Sequence, residues 1–222
     1  MDWPVLASVP VADQRRLIAG LRRRAYRRDE VIFHQGDPAD TIHLIAAGHV
    51  FVRVMLPGGE FVTVAVLGPG DAFGELALVG GSGPRGATVI ALERCETLSL
   101  RADEFERLRK AYPGVDRFLV EILSARVDTL NRQWLEALYV PAERRVLRRL
   151  LYLCQLYAGD EQRIVIPVTQ EMLASLAGTT RPTANQVLGR LAASQLLEVS
   201  RGQIVVLNRG ELHRRAGHPG QA

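Results

Sequence analysis

The chain of 222 residues holds only two cysteines, Cys95 and Cys154, which stand far apart with no CxxC and no Cys/His spacing. That pattern rules out a disulfide framework and speaks against a structural zinc site or an iron–sulfur cluster. No apolar run reaches the length of about 18 residues that a membrane span needs, so none is expected. The first residues, MDWPVLASVP, lack a basic start followed by an apolar stretch, so no secretory signal is expected and the chain reads as cytoplasmic. Disorder would show as low hydrophobicity with high charge, but the chain is 47% hydrophobic and 23% charged. Enzyme signatures are missing as well. There is no GxSxG, no GxxxxGK[ST] and no HExxH, and the glycine-rich Gly80-Gly81-Ser82-Gly83 lacks the lysine of a P-loop.

Lysine is almost absent: Lys110 is alone among 28 cationic residues, the rest being arginine. A planar guanidinium fork suits phosphates and guanine edges, and a GC-rich genome would give the same skew. The charge is unevenly placed. Residues 1–139 carry 17 basic and 18 acidic side chains, whereas residues 140–222 carry 11 and 6. A neutral first part and a polyanion-binding second part follow from that asymmetry.

What is present falls into three textures. Residues 11–24 place Leu17, Ile18 and Leu21 at helical spacing, which predicts a short helix. From about Tyr26 to Leu100, short β-rich runs alternate with turn-forming pairs such as Ala47-Gly48, Pro57-Gly58-Gly59 and Gly68-Pro69-Gly70-Asp71. Closely spaced strands of this kind indicate an antiparallel sandwich or barrel. Residues 101–111 read as a helix stopped by Tyr112-Pro113-Gly114. A long stretch without Pro or Gly then runs from Val115 to Tyr139. Val120, Leu123, Val127, Leu130 and Trp134 recur there in steps of three and four, a heptad seam. Such a seam also arises when a helix packs on its own domain. Its regularity on the longest helix, just before Pro141, favours a twin helix and hence a homodimer.

Beyond Pro141 comes an amphipathic helix over 142–157, with Val146, Leu147, Leu150, Leu151 and Leu153 inward. A short strand follows at 164–166, then helices over 169–177 and 181–194, and a hairpin around Arg201-Gly202. Helix, helix–turn–helix and β wing describe a winged DNA-binding domain. Gly178 supplies the positive φ of the turn, and Thr180 is placed to cap the second helix with Pro182 in its first turn. The exposed face of that helix carries Arg181, Thr183, Asn185, Gln186 and Arg190, donors suited to bases and phosphates. Gln170 and Thr179, near helix N-termini, are candidates for phosphate contacts. The tail beyond Arg209 reads as disordered.

The other informative stretch is GDAFGELALVGGSGPRGATVIAL. Phe73-Gly74-Glu75-Leu76-Ala77 should turn from a strand into a short helix, exposing backbone N–H groups to an anion. Glu75 can accept from a sugar hydroxyl, and Arg85 can close on a phosphate. A plain surface loop with an Arg–Glu pair fits those residues equally well.

Together, the FGEL stretch followed by PRGA, the Gly-rich turns, the long helix and TTRPTANQVL resemble the Crp–Fnr family of bacterial transcription regulators over nearly the whole chain. The resemblance implies an α+β architecture. An N-terminal antiparallel, jelly-roll type β-roll would span residues 1–113, a dimerisation helix 114–140, and a winged helix–turn–helix 141–222. It implies double-stranded DNA, RNA polymerase and a second copy of the chain as partners, and a cyclic nucleotide, cyclic AMP first, as effector. By resemblance Glu75 binds the ribose 2′-hydroxyl and Arg85 the cyclic phosphate. Gly74, Leu76, Gly86 and Ala87 lie around them, and Thr129 and Leu130 stand where the purine is contacted. Gly86 replaces a Ser or Thr common in the family, and Leu130 replaces a purine-contacting serine. Two lost hydrogen bonds weaken binding by about 1–3 kcal/mol, which keeps another small anion, or no effector, open as an alternative. In the reading helix, Pro182 and Gln186 replace a glutamate and an arginine of the catabolite activator subgroup, so a different operator is expected. A cupin-like metal enzyme fused to a DNA-binding module is the remote alternative, and scattered His34, His43 and His49 give it no HxH site.

Overall fold

The computed structural model describes residues 10–76, 83–157 and 163–216. They divide into two compact units, residues 1–61 with 65–129 and residues 62–64 with 130–222, the boundary falling inside the longest helix.

The first unit begins with α1 (Val11–Gly20), then strands β1 (Arg22–Tyr26), β2 (Val31–Phe33), β3 (Thr41–Ala47), β4 (Val50–Met55), β5 (Phe61–Leu67), β6 (Ala72–Phe73), β7 (Thr88–Ala91) and β8 (Cys95–Arg101). Helix α2 (Ala102–Ala111) follows, then α3 (Gly114–Tyr139). The strands make two four-stranded sheets, in the orders β1-β8-β3-β6 and β2-β7-β4-β5. Period-2 alternation explains how the first sheet is buried on both faces. Ile42, Leu44, Leu98 and Leu100 pack with Phe105, Leu108, Val115 and Leu119 of α2 and α3. Ile45 and Cys95 face the other way, joining Val50, Phe73, Val89 and Ala91.

The second unit holds α4 (Ala142–Tyr157), β9 (Ile164–Ile166), α5 (Gln170–Leu176), α6 (Arg181–Ala193), the hairpin β10 (Leu197–Ser200) and β11 (Gln203–Val206), and α7 (Arg209–Ala216). The strands form one sheet in the order β10-β11-β9. Val146, Leu147, Leu150, Leu153 and Cys154 of α4 are buried, as are Leu173, Ala184, Val187 and Leu191. Leu151 and Leu176 are only half-buried.

Two expectations need correction. The first helix ends at Gly20, and Arg22–Arg24 belong to β1, paired antiparallel with β8 from Arg22↔Ser99 to Tyr26↔Cys95. Their side chains are exposed, so nothing in them alternates apolar with polar. The side chain of Leu17 lies outside the described residues. The stretch after Arg209 is helical through Ala216: the Asn208 side chain accepts from Glu211 N–H at 2.9 Å, and Leu212 and Ala216 are buried. Residues 217–222 lie outside the description.

Both cysteines are free and buried, and burial pushes each thiol up to about 11. No described helix is long and apolar enough to cross a membrane.

Candidate effector pocket and DNA-reading face

In the roll, β6 ends at Phe73 and the chain turns through Gly74, whose φ is +88°. A Cβ there would lie 2.6 Å from Arg85 Nη1 and 3.0 Å from the Thr41 carbonyl oxygen, so only glycine fits. The turn carries Glu75 inward, 1% exposed, while Leu76 is 60% exposed. Arg85, 3% exposed, lies against the same turn. Its Nη1 donates to the Gly74 carbonyl at 3.0 Å, and its Nη2 to the Thr41 carbonyl at 2.8 Å and Oγ1 at 2.9 Å. The guanidinium sits 4.1 Å over the Phe33 ring, and exposed Asp40 is 3.7 Å away. Gly86 is exposed and Ala87 half-buried. Ala77 lies outside the described residues.

Burying a charge costs several kcal/mol unless it is paired and hydrogen-bonded. Here the pairing is incomplete. Glu75 Oε1 accepts from Arg126 Nη1, and Arg126 Nη2 also donates to the Ala72 carbonyl at 3.0 Å. Glu75 Oε2 and Arg85 Nε are buried without a hydrogen-bond partner among the described residues. Burial raises the Glu75 carboxyl above its ordinary value despite Arg126, and lowers the Arg85 guanidinium. The site thus holds one spare acceptor and one spare donor in a desolvated place, suited to a ligand bearing both a hydroxyl and an anion.

On α3, Thr129 Oγ1 donates to the Ala125 carbonyl one turn back, at 2.8 Å, and Leu130 is exposed. The α3 residue that meets Glu75 is Arg126. Neither Arg126 nor Thr41 is signalled locally, because each meets its partner across 44–51 residues of sequence. His43 extends the cluster. Its ring stacks on Phe73 at 5.0 Å, with Nε2 3.3 Å from Thr41 Oγ1 and Nδ1 3.2 Å from Thr97 Oγ1. Burial, then the Arg85 charge, pushes its pKa down to about 4.

In the second unit, Gly178 takes φ +58° between α5 and α6, and a Cβ there would lie 3.3 Å from Arg145 Nη1. Thr180 caps α6 by accepting from Thr183 N–H at 3.4 Å, with Pro182 in the first turn. The cap of α5 is Thr169, which accepts from Met172 N–H at 3.1 Å; its place just before an apolar helical run is its signal in the sequence. Arg181, Pro182, Gln186 and Arg190 are exposed, whereas Thr179, Thr183 and Gln170 are half-buried. Asn185 is half-buried too, with Oδ1 enclosed and without a hydrogen-bond partner among the described residues. Arg190 donates to Glu143 at 2.9 Å, so part of its charge is already committed. On α3, Val120, Val127, Leu130 and Trp134 are exposed, Trp134 by 66%, while Leu123 is half-buried.

A roll with a desolvated Glu–Arg cluster, followed by a winged helix–turn–helix, has the layout of a ligand-binding module joined to a DNA-binding one. Residues 23–112 match the cyclic nucleotide-binding domain, and residues 144–215 the Crp-like helix-turn-helix domain. The chain is 32% identical over 185 residues to the cyclic AMP receptor protein of Thermus thermophilus, covering 83% of both. It is 28% identical over 187 residues to the global nitrogen regulator of a Synechocystis strain, covering 82% of this chain and 83% of that one. The structure of a CRP-family transcriptional regulator from Thermus thermophilus superposes with a TM-score of 0.73 at 25% identity, covering 90% and 99% of the two chains. The chain belongs to the Crp–Fnr family. It is a Crp-like transcription regulator with a cyclic nucleotide-binding domain and a DNA-binding helix–turn–helix, and its matched domains and relatives are those of regulators, not enzymes.

Proposed function

We propose that the protein is a homodimer that binds a pseudo-palindromic operator under the control of a cyclic nucleotide, cyclic AMP first, and acts on RNA polymerase. Residues 1–113 serve as effector domain, 114–140 as dimer helix and 141–222 as reading domain. The observation that carries the effector reading is the pair of orphaned atoms, Glu75 Oε2 and Arg85 Nε, on side chains 1% and 3% exposed. A ribose hydroxyl supplies the donor that Glu75 lacks, and a cyclic phosphate the acceptor that Arg85 lacks. The exposed stripe Val120, Val127, Leu130 and Trp134 supports the two-copy reading. On α6, Arg181 is assigned a base contact, with Gln186 beside it, while Gln170 and Thr179 serve phosphates.

Titration calorimetry with cyclic AMP and cyclic GMP tests this. Heat from cyclic AMP with the wild type, lost in Arg85→Ala, is expected; no heat from either nucleotide with the wild type contradicts it. A second reading, an effector-independent regulator or one answering to another small anion, is favoured by Gly86 and Leu130, which bring no hydroxyl, and by the engagement of Arg85 with Thr41 and Gly74. A gel shift without ligand separates the two: tight operator binding that nucleotide leaves unchanged favours the second.

A further inference from the structure

One carboxylate ties the last turns of α3 to the helix–turn–helix. Glu136 Oε1 accepts from Arg148 Nη1 at 2.8 Å, and its Oε2 from Arg149 Nη2 at 2.8 Å. Arg149 also turns its Nε to the Leu176 carbonyl at 3.0 Å. Leu176 is the last residue of α5, followed by Ala177 and the turn glycine Gly178. The three side chains are 18%, 23% and 15% exposed, so solvent screens them little. The Leu176 carbonyl is one of those that a helix end leaves without an intrahelical partner, and the helix dipole favours a cation there. A planar guanidinium serves the carboxylate with one nitrogen and this carbonyl with another; an ammonium lacks that fork. Helix α3 runs unbroken to Tyr139, and the exposed seam residue Trp134 lies two positions before Glu136.

We propose that Glu136 is a positioning residue for DNA reading. Through Arg149 it holds the helix–turn–helix at a set angle to the end of α3, and so fixes the separation of the two recognition helices in a dimer. The inference rests on the two-copy reading above. Without the clamp, each winged domain keeps its fold and its base preferences but turns more freely about Val140-Pro141. Paired half-sites are read one DNA turn apart, about 10 base pairs. A stiff joint therefore makes affinity fall steeply when the spacer changes, and a loose joint flattens that fall.

The test uses the full chain and duplexes selected from a random pool by the wild type. These are remade with the spacer one or two base pairs longer or shorter, and binding is followed by fluorescence anisotropy. In Glu136→Gln and in Arg149→Lys, the loss of affinity on changing the spacer is expected to shrink by about tenfold, with half-site base preferences unchanged. Arg149→Lys keeps the charge, so agreement between the two variants assigns the effect to the bridging geometry. Variants that keep the wild-type spacer profile overturn the proposal, even where they bind every duplex more weakly or melt earlier. A wild type that holds one half-site as tightly as two contradicts the two-copy reading itself, and the proposal with it.

Discussion

In the roll, Glu75 and Arg85 are almost wholly enclosed, and each still has a polar atom without a partner among the described residues. On α6 the arrangement is reversed: Arg181 and Gln186 stand in solvent on a helix whose opposite face, Ala184, Val187, Leu188 and Leu191, is buried and apolar. The roll keeps charge out of water, where a few atoms of a small ligand are worth much and a mismatch costs much. The reading helix leaves its donors hydrated, which suits a polyanion whose long-range attraction falls with salt and whose bases are distinguished by bidentate contacts. On the proposed reading, selectivity arises from desolvation in one unit and from display in the other. Substitutions in the two places are expected to have different signatures.

The largest expected effect lies under the displayed surface. Leu150→Ala, at a fully buried position of α4, should destabilise the winged domain by about 2–5 kcal/mol in a denaturant titration. A smaller cost would mean that apolar packing is not what holds the reading helix. Next comes acid sensitivity in the roll. His43 has a folded pKa of about 4, below its unfolded value, so its contribution is complete above about pH 6.5 and is lost as pH falls toward 4. The wild type should lose stability over that range, on the order of 3 kcal/mol, and His43→Phe should lose much less. Equal slopes for the two proteins would show that His43 is not buried neutral beside Arg85.

Arg181→Ala should then reduce discrimination between a selected operator and a mutated one by about 1–3 kcal/mol. An equal loss on all sequences would move Arg181 from the bases to a phosphate. The smallest effect is conformational. Gln195 follows α6 with φ +56°, and Leu196 N–H bonds back to the Leu191 carbonyl at 3.0 Å. Gln195→Gly should stabilise by about 1 kcal/mol, read as a higher melting temperature, because glycine holds that conformation without steric cost.

The helix–turn–helix was legible because its determinants are local: Gly178 in the turn, Thr180 and Pro182 at the start of α6, and apolar residues at helical spacing. The strands of the roll were legible from their turns, but β1 was not. Its Arg22-Arg23-Arg24 has no apolar alternation, and only pairing with β8 makes it a strand. The final helix hid for a related reason. Leu212 and Ala216 are too few to mark an amphipathic face, although Asn208 three residues before Glu211 is a capping signal. Glu75 and Arg85 were found through motif and resemblance. Arg126 and Thr41 were not, since a lone arginine in a heptad helix and a threonine opening a strand gain meaning only when folding brings them to the pocket.

The most direct test of the claim that the roll governs the reading helices is the affinity for one selected duplex, measured with and without saturating cyclic AMP, in the wild type and in Arg85→Ala. Tighter binding with nucleotide in the wild type, and no change in Arg85→Ala, is the predicted result. The same wild-type affinity in both conditions would contradict it.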